Sequence, residues 1–155
     1  MQLNRFTDYG LRVLMYLHGC DADELVTIES IARRFEIPQN HLNKVVQRMA
    51  RLGWVQSRPG RHGGIRLADR DTSLRLGDVL RELEGHPSLV NCAEPPCPLR
   101  GGCRLKQALD GGRDTFYADM NRHTLADLVH PPTHDLIVAL RRSEPDGSPA
   151  VRRRA

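Results

Sequence analysis

Three cysteines, Cys92, Cys97 and Cys103, fall in the stretch "NCAEPPCPLRGGCRL", with four and then five residues between them. Thiolates are soft donors, so thiols this close together point to a metal or to redox chemistry. A zinc site would need a fourth ligand, for which Cys20, His86, His123 and His134 are available. Zinc-binding cysteines usually stand in pairs two to four residues apart, and this spacing does not follow that pattern. An iron–sulfur cluster also takes thiolates and tolerates an irregular loop. A thiol switch that joins Cys92 to Cys97 is the third chemistry open to this loop. Cys97 stands between Pro96 and Pro98, which suits a residue held in place better than a core filler. Cys20 closes a helical pattern and reads as a small buried apolar residue.

Such a loop needs elements to position it. The chain has 155 residues, enough for one domain or one small domain with an appendage. Apolar residues make up 39% and aromatics 5%, so the core must come from Leu, Val, Ile and Ala in packed helices. No segment combines a basic start, an apolar run and a small-residue cleavage site, and no apolar run reaches membrane-spanning length. The expectation is a cytoplasmic protein without a membrane partner. A reducing compartment and only four cysteines disfavour a disulfide framework.

Apolar spacing predicts a helix through "RFTDYGLRVLMYLHG", with Phe6, Tyr9, Val13, Leu14 and Leu17 on one side and Gly19 as its stop. A second helix carries Ile28, Ile31, Ala32 and Phe35, with Thr27 as cap. A third starts with Pro38 in its first turn, turns Leu42, Val45, Val46 and Met49 inward, and ends at Gly53. "WVQSRPGRHGGIRLA" then reads as two short strands around a Gly-rich tip, and "LGDVLRELEG" as a further helix ending at Glu84. From Arg104 to about Val129, positions Leu105, Ala108, Leu109, Phe116, Met120, Leu125 and Leu128 mark one long helical segment. Gly111 and Gly112 lie inside it, each costing about 1 kcal/mol against Ala, which suggests a kink or a close approach. That helix must bury its stripe on something, and the same helix of a second subunit is the simplest partner.

The fold class expected is therefore mainly α: a winged helix-turn-helix with a small β-hairpin wing and a long C-terminal dimerisation helix. Its parts are a DNA-binding domain over 1–84, a cysteine-rich loop over 85–104, a dimerisation region over 105–130 and a C-terminal segment over 131–155, disordered from about 143.

Charge supports a polyanion as partner of the first half. The total is +4, but residues 26–70 hold nine basic against three acidic side chains, a local +6, while residues 71–134 hold seven against nine. The second helix of a helix-turn-helix enters the major groove, which puts Gln39, Asn40, His41, Asn43 and Lys44 at base edges. Gln39 and Asn40 could equally serve the helix start beside Pro38. Arg33, Arg34, Arg48 and Arg51 are candidates for phosphate contacts, or for plain solvated charge. Arg58, Arg61 and His62 at the hairpin tip could follow the backbone or enter the minor groove. No Ser/His/Asp or paired-carboxylate spacing suggests an enzyme.

Several segments in order carry a family resemblance. They are "MQLNRFTDYGLRVLMYL", "NHLNKVVQRMARLGWV", "GRHGGIRLA", "LGDVLRELEG", "LVNC", the C-x4-C-x5-C run, "CRLKQAL" and "TLADLV". From Met1 to about Pro131 the chain resembles the IscR/NsrR-type winged-helix iron–sulfur regulators of bacteria, and their nitric-oxide-sensitive repressors most of all. The resemblance implies a homodimer on a palindromic DNA operator, with one [4Fe–4S] cluster per subunit on Cys92, Cys97 and Cys103. It also implies Asp8 as an oxygen ligand donated from the other subunit. By its own residues Asp8 is only a carboxylate in a first helical turn, one turn from Arg12. IscR-type relatives use a histidine and a [2Fe–2S] cluster, but at the matching place this chain has Lys106, Gln107 and Ala108. A [2Fe–2S] cluster or zinc stays as the alternative. What the resemblance implies for function is a repressor that holds DNA with its cluster intact and releases it when nitric oxide reacts.

Overall fold

The computed structural model describes residues 2–69, 74–85 and 88–143. Three helices come first: α1 (Arg5–His18), α2 (Ile28–Arg34) and α3 (Gln39–Arg51). Asn4 begins α1 by accepting from the Thr7 amide at 2.8 Å, and Thr27 begins α2 by accepting from the Ser30 amide at 3.1 Å. Pro38 stands one place earlier than expected: it is the N-cap of α3, without a side-chain capping bond. The turn between α2 and α3 passes through Glu36 at φ 53, a left-handed conformation uncommon for a residue with a Cβ.

Strands β1 (Val55–Arg58) and β2 (Gly64–Leu67) pair antiparallel, with Val55 opposite Leu67 and Ser57 opposite Ile65. Val55, Ile65 and Leu67 are buried, so one face of the hairpin closes over the helices. Val26 adds a single bridge to Ile65, through amide–carbonyl bonds of 3.0 and 2.8 Å. At the hairpin turn a Cβ on Gly63 would lie 2.1 Å from the Arg58 carbonyl, so only glycine fits. The core gathers Val13 and Leu14 of α1, Ile31 of α2, and Leu42, Val45 and Met49 of α3, with Val79 and Leu83 of α4 (Leu76–Glu84).

Beyond the cysteine loop run α5 (Arg104–Met120), α6 (Leu125–Leu128) and α7 (Thr133–Arg142). The architecture is mainly helical with one small antiparallel hairpin, a winged-helix arrangement, as the apolar spacing predicted. Two details differ. The single helix expected to about Val129 stops at Met120, because Thr124 and Asp127 form a capping box that starts α6 afresh. Gly111 and Gly112 do not break α5; it runs through both, and a Cβ on either would meet nothing within 4 Å.

A further difference is α7, which the sequence did not announce. Ile137 is 5% exposed and packs on Gly19, while Arg141 donates to the Gly19 carbonyl at 3.0 Å and to Glu24 Oε2 at 2.5 Å. The expected disordered tail falls on residues 144–155, outside the described residues.

Candidate functional site

The cysteine loop is built from turns. Asn91 Oδ1 accepts from the amides of Ala93 (2.9 Å) and Glu94 (3.2 Å), the Cys97 amide donates to the Cys92 carbonyl at 3.3 Å, and the Arg100 amide donates to the Cys97 carbonyl at 3.0 Å. Cys103 is the N-cap of α5 and makes no side-chain capping bond, so its thiol is not engaged by the helix it starts. Cys92, Cys97 and Cys103 are half-buried free thiols. Cys92 and Cys103 line one open concavity of about 630 Å3, together with Asn91, Lys106 and Asp110.

Lys106 and Asp110 form an ion pair on the concavity's wall, and the hydrogen bond from Lys106 holds the Asp110 carboxyl below its ordinary range. The three thiols are soft donors of the kind a cluster takes, and the concavity has room, though of the three only Cys92 and Cys103 line it. The side chains do not converge in the single chain. Among the described residues, no three Cys, His, Asp or Glu groups stand close enough together to hold a metal ion.

The fourth-ligand candidates lie elsewhere. Asp8 faces Arg12 in a fork of two bonds, Nε to Oδ1 at 3.0 Å and Nη2 to Oδ2 at 2.8 Å, both side chains being about two-fifths exposed. It lines a different concavity from the cysteines, beside Tyr9 and Glu36. Cys20 is buried at the end of α1, with its thiol donating to the Tyr16 carbonyl at 3.2 Å. His134 stands beside Asp135 at 3.4 Å, His123 is exposed in the turn before α6, and His86 lies outside the described residues.

On the first half of the molecule, α3 presents Gln39, Asn40, His41, Asn43 and Lys44 to solvent, opposite its buried Leu42, Val45 and Val46. Asn40 Oδ1 accepts from the His41 amide at 2.9 Å within the first turn of α3, which has no side-chain cap. At the wing, Arg58, Arg61 and His62 are exposed. Arg33 is exposed and pairs with Glu29 one turn back, at 3.2 Å.

Arg34 and Arg48, two further candidates for phosphate contacts or solvated charge, each reach another helix. Arg34 turns toward α7 and donates to the Arg141 carbonyl at 3.3 Å, while Arg48 pairs with Glu82 of α4 at 3.0 Å. Both bridge to another helix, because each lies on a flank that faces another element, while Arg48 keeps about two-fifths of its side chain exposed.

A family model for Rrf2, described as an iron-dependent transcriptional regulator, matches residues 3–131. The chain belongs to the Rrf2 family. It is thus a transcriptional regulator of a family whose members bind DNA and are typically dimeric. Among solved structures, CymR (YrzC), the global cysteine regulator of B. subtilis, is 26% identical with a TM-score of 0.66, over 83% of this chain and 95% of that one. The oxidised form of Staphylococcus aureus CymR is 25% identical with a TM-score of 0.66, over 84% of this chain and 97% of that one. IscR of T. potens, 22% identical with a TM-score of 0.65 over 83% and 86% of the two chains, shares the fold. No described helix is long and apolar enough to cross a membrane.

Set against the Rrf2 match, the sequence reading missed residues that link the two halves. Gly77 of α4 touches α5 so closely that a Cβ would lie 2.0 Å from the Tyr117 carbonyl. Asn121 accepts from the Asp78 amide at 2.8 Å and donates to Asp78 Oδ1 at 2.9 Å. Arg81 covers the Tyr117 ring, 4.8 Å from its centre. Only the mid-helix-start glycine in "LGDV" hinted at this crossing.

Proposed function

We propose that this Rrf2 regulator is a dimeric repressor that senses nitric oxide through an iron–sulfur cluster on Cys92, Cys97 and Cys103, with the partner subunit's Asp8 completing the ligand set. One observation carries the reading: the three thiols stand on the connection between a winged helix and a helix with little of its own to pack on. α5 has a single wholly buried residue, Tyr117, and leaves Leu105 64% exposed. The unfilled space around Gly111 and Gly112 on the same helix suits a close approach by a second copy. A bound [4Fe–4S] cluster supplies an iron open to a diatomic such as nitric oxide, since a carboxylate is a harder and weaker partner for soft iron than a thiolate.

The chain's own residues suggest how the loop would reach DNA. Cys103 starts α5, α5 meets α4 at Gly77 and Tyr117, and α4 holds the reading helix through Glu82–Arg48 and the start of α1 through Glu84 to the Asn4 amide at 2.9 Å. Asp8 stands on α1 and is held there by Arg12, so its ligation to a partner's cluster would bear on the set of α1. Gln39, Asn40, His41, Asn43 and Lys44 would read bases, with Arg33, Arg58, Arg61 and His62 on phosphates or the minor groove. Two such faces in a dimer fit a palindromic operator.

Iron, sulfide and the visible spectrum of anaerobically purified protein, with Asp8→Ala beside it, test the cofactor. Gel shifts of cluster-bound, nitrosylated and apo protein test the signal, and equal operator affinity in all three refutes the reading. A thiol-switched repressor is the second reading, favoured by the half-buried free thiols and by the likeness to an oxidised CymR. Iron-free protein that releases DNA on oxidation, with Cys92 and Cys97 then protected from alkylation, would establish it. One zinc per chain would mark a metal-stabilised module.

A further inference from the structure

We propose that the concavity between α1, α2 and α7 binds a small anionic molecule through its carboxylate or phosphate group. It measures about 610 Å3, and Tyr16, Glu24, Ser30, Arg34, Arg141 and Arg142 stand in its lining. Three guanidinium groups therefore face one carboxylate, and that carboxylate is engaged. Arg141 donates to Glu24 Oε2 at 2.5 Å and to the Gly19 carbonyl at 3.0 Å. Among the described residues no carboxylate pairs with Arg34 or Arg142.

Arg34 points most directly to a ligand. It reaches the carbonyls of Ser30 at 3.4 Å and Arg141 at 3.3 Å, both long, and its Nε is out of contact with water without an acceptor. A buried guanidinium N–H left unmet is unfavourable, and a carboxylate or phosphate oxygen matches the donor fork. Tyr16 is 3% exposed and burial raises its pKa, so its hydroxyl stays protonated and can donate to an anion.

The site belongs to neither the cysteine loop nor the reading helix. One wall is α7, which lies beyond the residues 3–131 that the family model matches. The other is α2, which packs on α3, so an occupant wedged between α2 and α7 bears on the helix that reads DNA. The inference is independent of the cluster, and apo protein serves for its test.

The test titrates the full chain with inorganic phosphate and, separately, with acetate, each against chloride at equal ionic strength, by calorimetry and thermal unfolding. Saturable binding of either probe supports the site and tells which head group it prefers. Arg142→Gln, at the exposed rim, should weaken that binding about tenfold, the loss of one charge-assisted bond. Arg122→Gln, in the turn after α5, should leave it unchanged. Arg34→Gln should weaken it further, but Arg142→Gln decides, because removing Arg34 also releases α7. Binding that does not saturate, or that Arg142→Gln leaves intact, overturns the proposal. So does Arg142→Gln lowering operator affinity while the free protein takes up neither probe, which would make the pocket a contact for the DNA backbone.

Discussion

The crossing of α4 and α5 offers the sharpest test of how the cysteine loop is tied to the DNA-reading half. In Gly77→Ala the new methyl carbon would sit 2.0 Å from the Tyr117 carbonyl and 2.5 Å from Asn121 Oδ1. The first neighbour is backbone in the last turn of α5, tied by the Asn121 amide at 3.0 Å, and cannot swing aside, so α4 must shift from α5. Overpacking of this kind costs about 1–3 kcal/mol. The shift also strains the two Asn121–Asp78 bonds, at 2.8 and 2.9 Å, each worth about 1 kcal/mol. The better helix propensity of Ala returns about 1 kcal/mol, leaving a net loss near 3 kcal/mol. For a chain of this size that lowers Tm by about 6–12 °C. Circular dichroism melts at one protein concentration measure it, since a dimer's Tm depends on concentration. Gly102→Ala, where a Cβ meets nothing within 4 Å, serves as the control. A Tm fall no larger than the control's refutes the argument that this close approach sets the crossing.

Gly111→Ala should raise the stability of the monomeric chain by about 1 kcal/mol while weakening self-association, which sedimentation across a dilution series separates from folding. Stability without any change in association would remove α5 from the dimer contact at that point. On DNA, Arg61→Ala should lower the slope of log affinity against log salt by about 1 and Arg48→Ala should leave it unchanged, because Arg48 is paired to Glu82 at 3.0 Å. Fluorescence anisotropy at several salt concentrations reads both. Asp127 is held below its ordinary 3.8, first by the Thr124 amide and then by the Thr124 hydroxyl. A depressed folded value means stability present above 3.8 and lost as pH falls through the lower folded pKa, so the gap between wild type and Asp127→Asn should close in acid. A gap that stays constant through that range would show that the carboxylate's charge is not what starts α6.

The elements that read well from sequence are those whose signals are local. Leu42, Val45, Val46 and Met49 recur at helical spacing, and all four are buried in α3. The glycine-rich hairpin tip was legible because a turn with Arg58 and Gly63 in contact leaves no room for a Cβ. The cysteines stood out as candidates for chemistry because three thiols share one Pro/Gly loop. The break after Met120 was written in the chain too, as Thr124 three residues before Asp127, but the apolar stripe through Leu125 and Leu128 outweighed it.

What the sequence determined by itself was the first four helices, the hairpin, the basic first half and the presence of three thiols on one connection, because period, capping and residue type act over a few neighbouring positions. Only the tertiary structure decided which cations remain available and where α7 goes. Arg34 and Arg48 carry the same charge as Arg33 and Arg61, yet they reach across to α7 and α4, at separations of 107 and 34 residues along the chain, while Arg33 pairs within its own helix. Whether an arginine is a strut or a free contact depends on what packs beside it. That is fixed by long-range burial, which no local pattern contains.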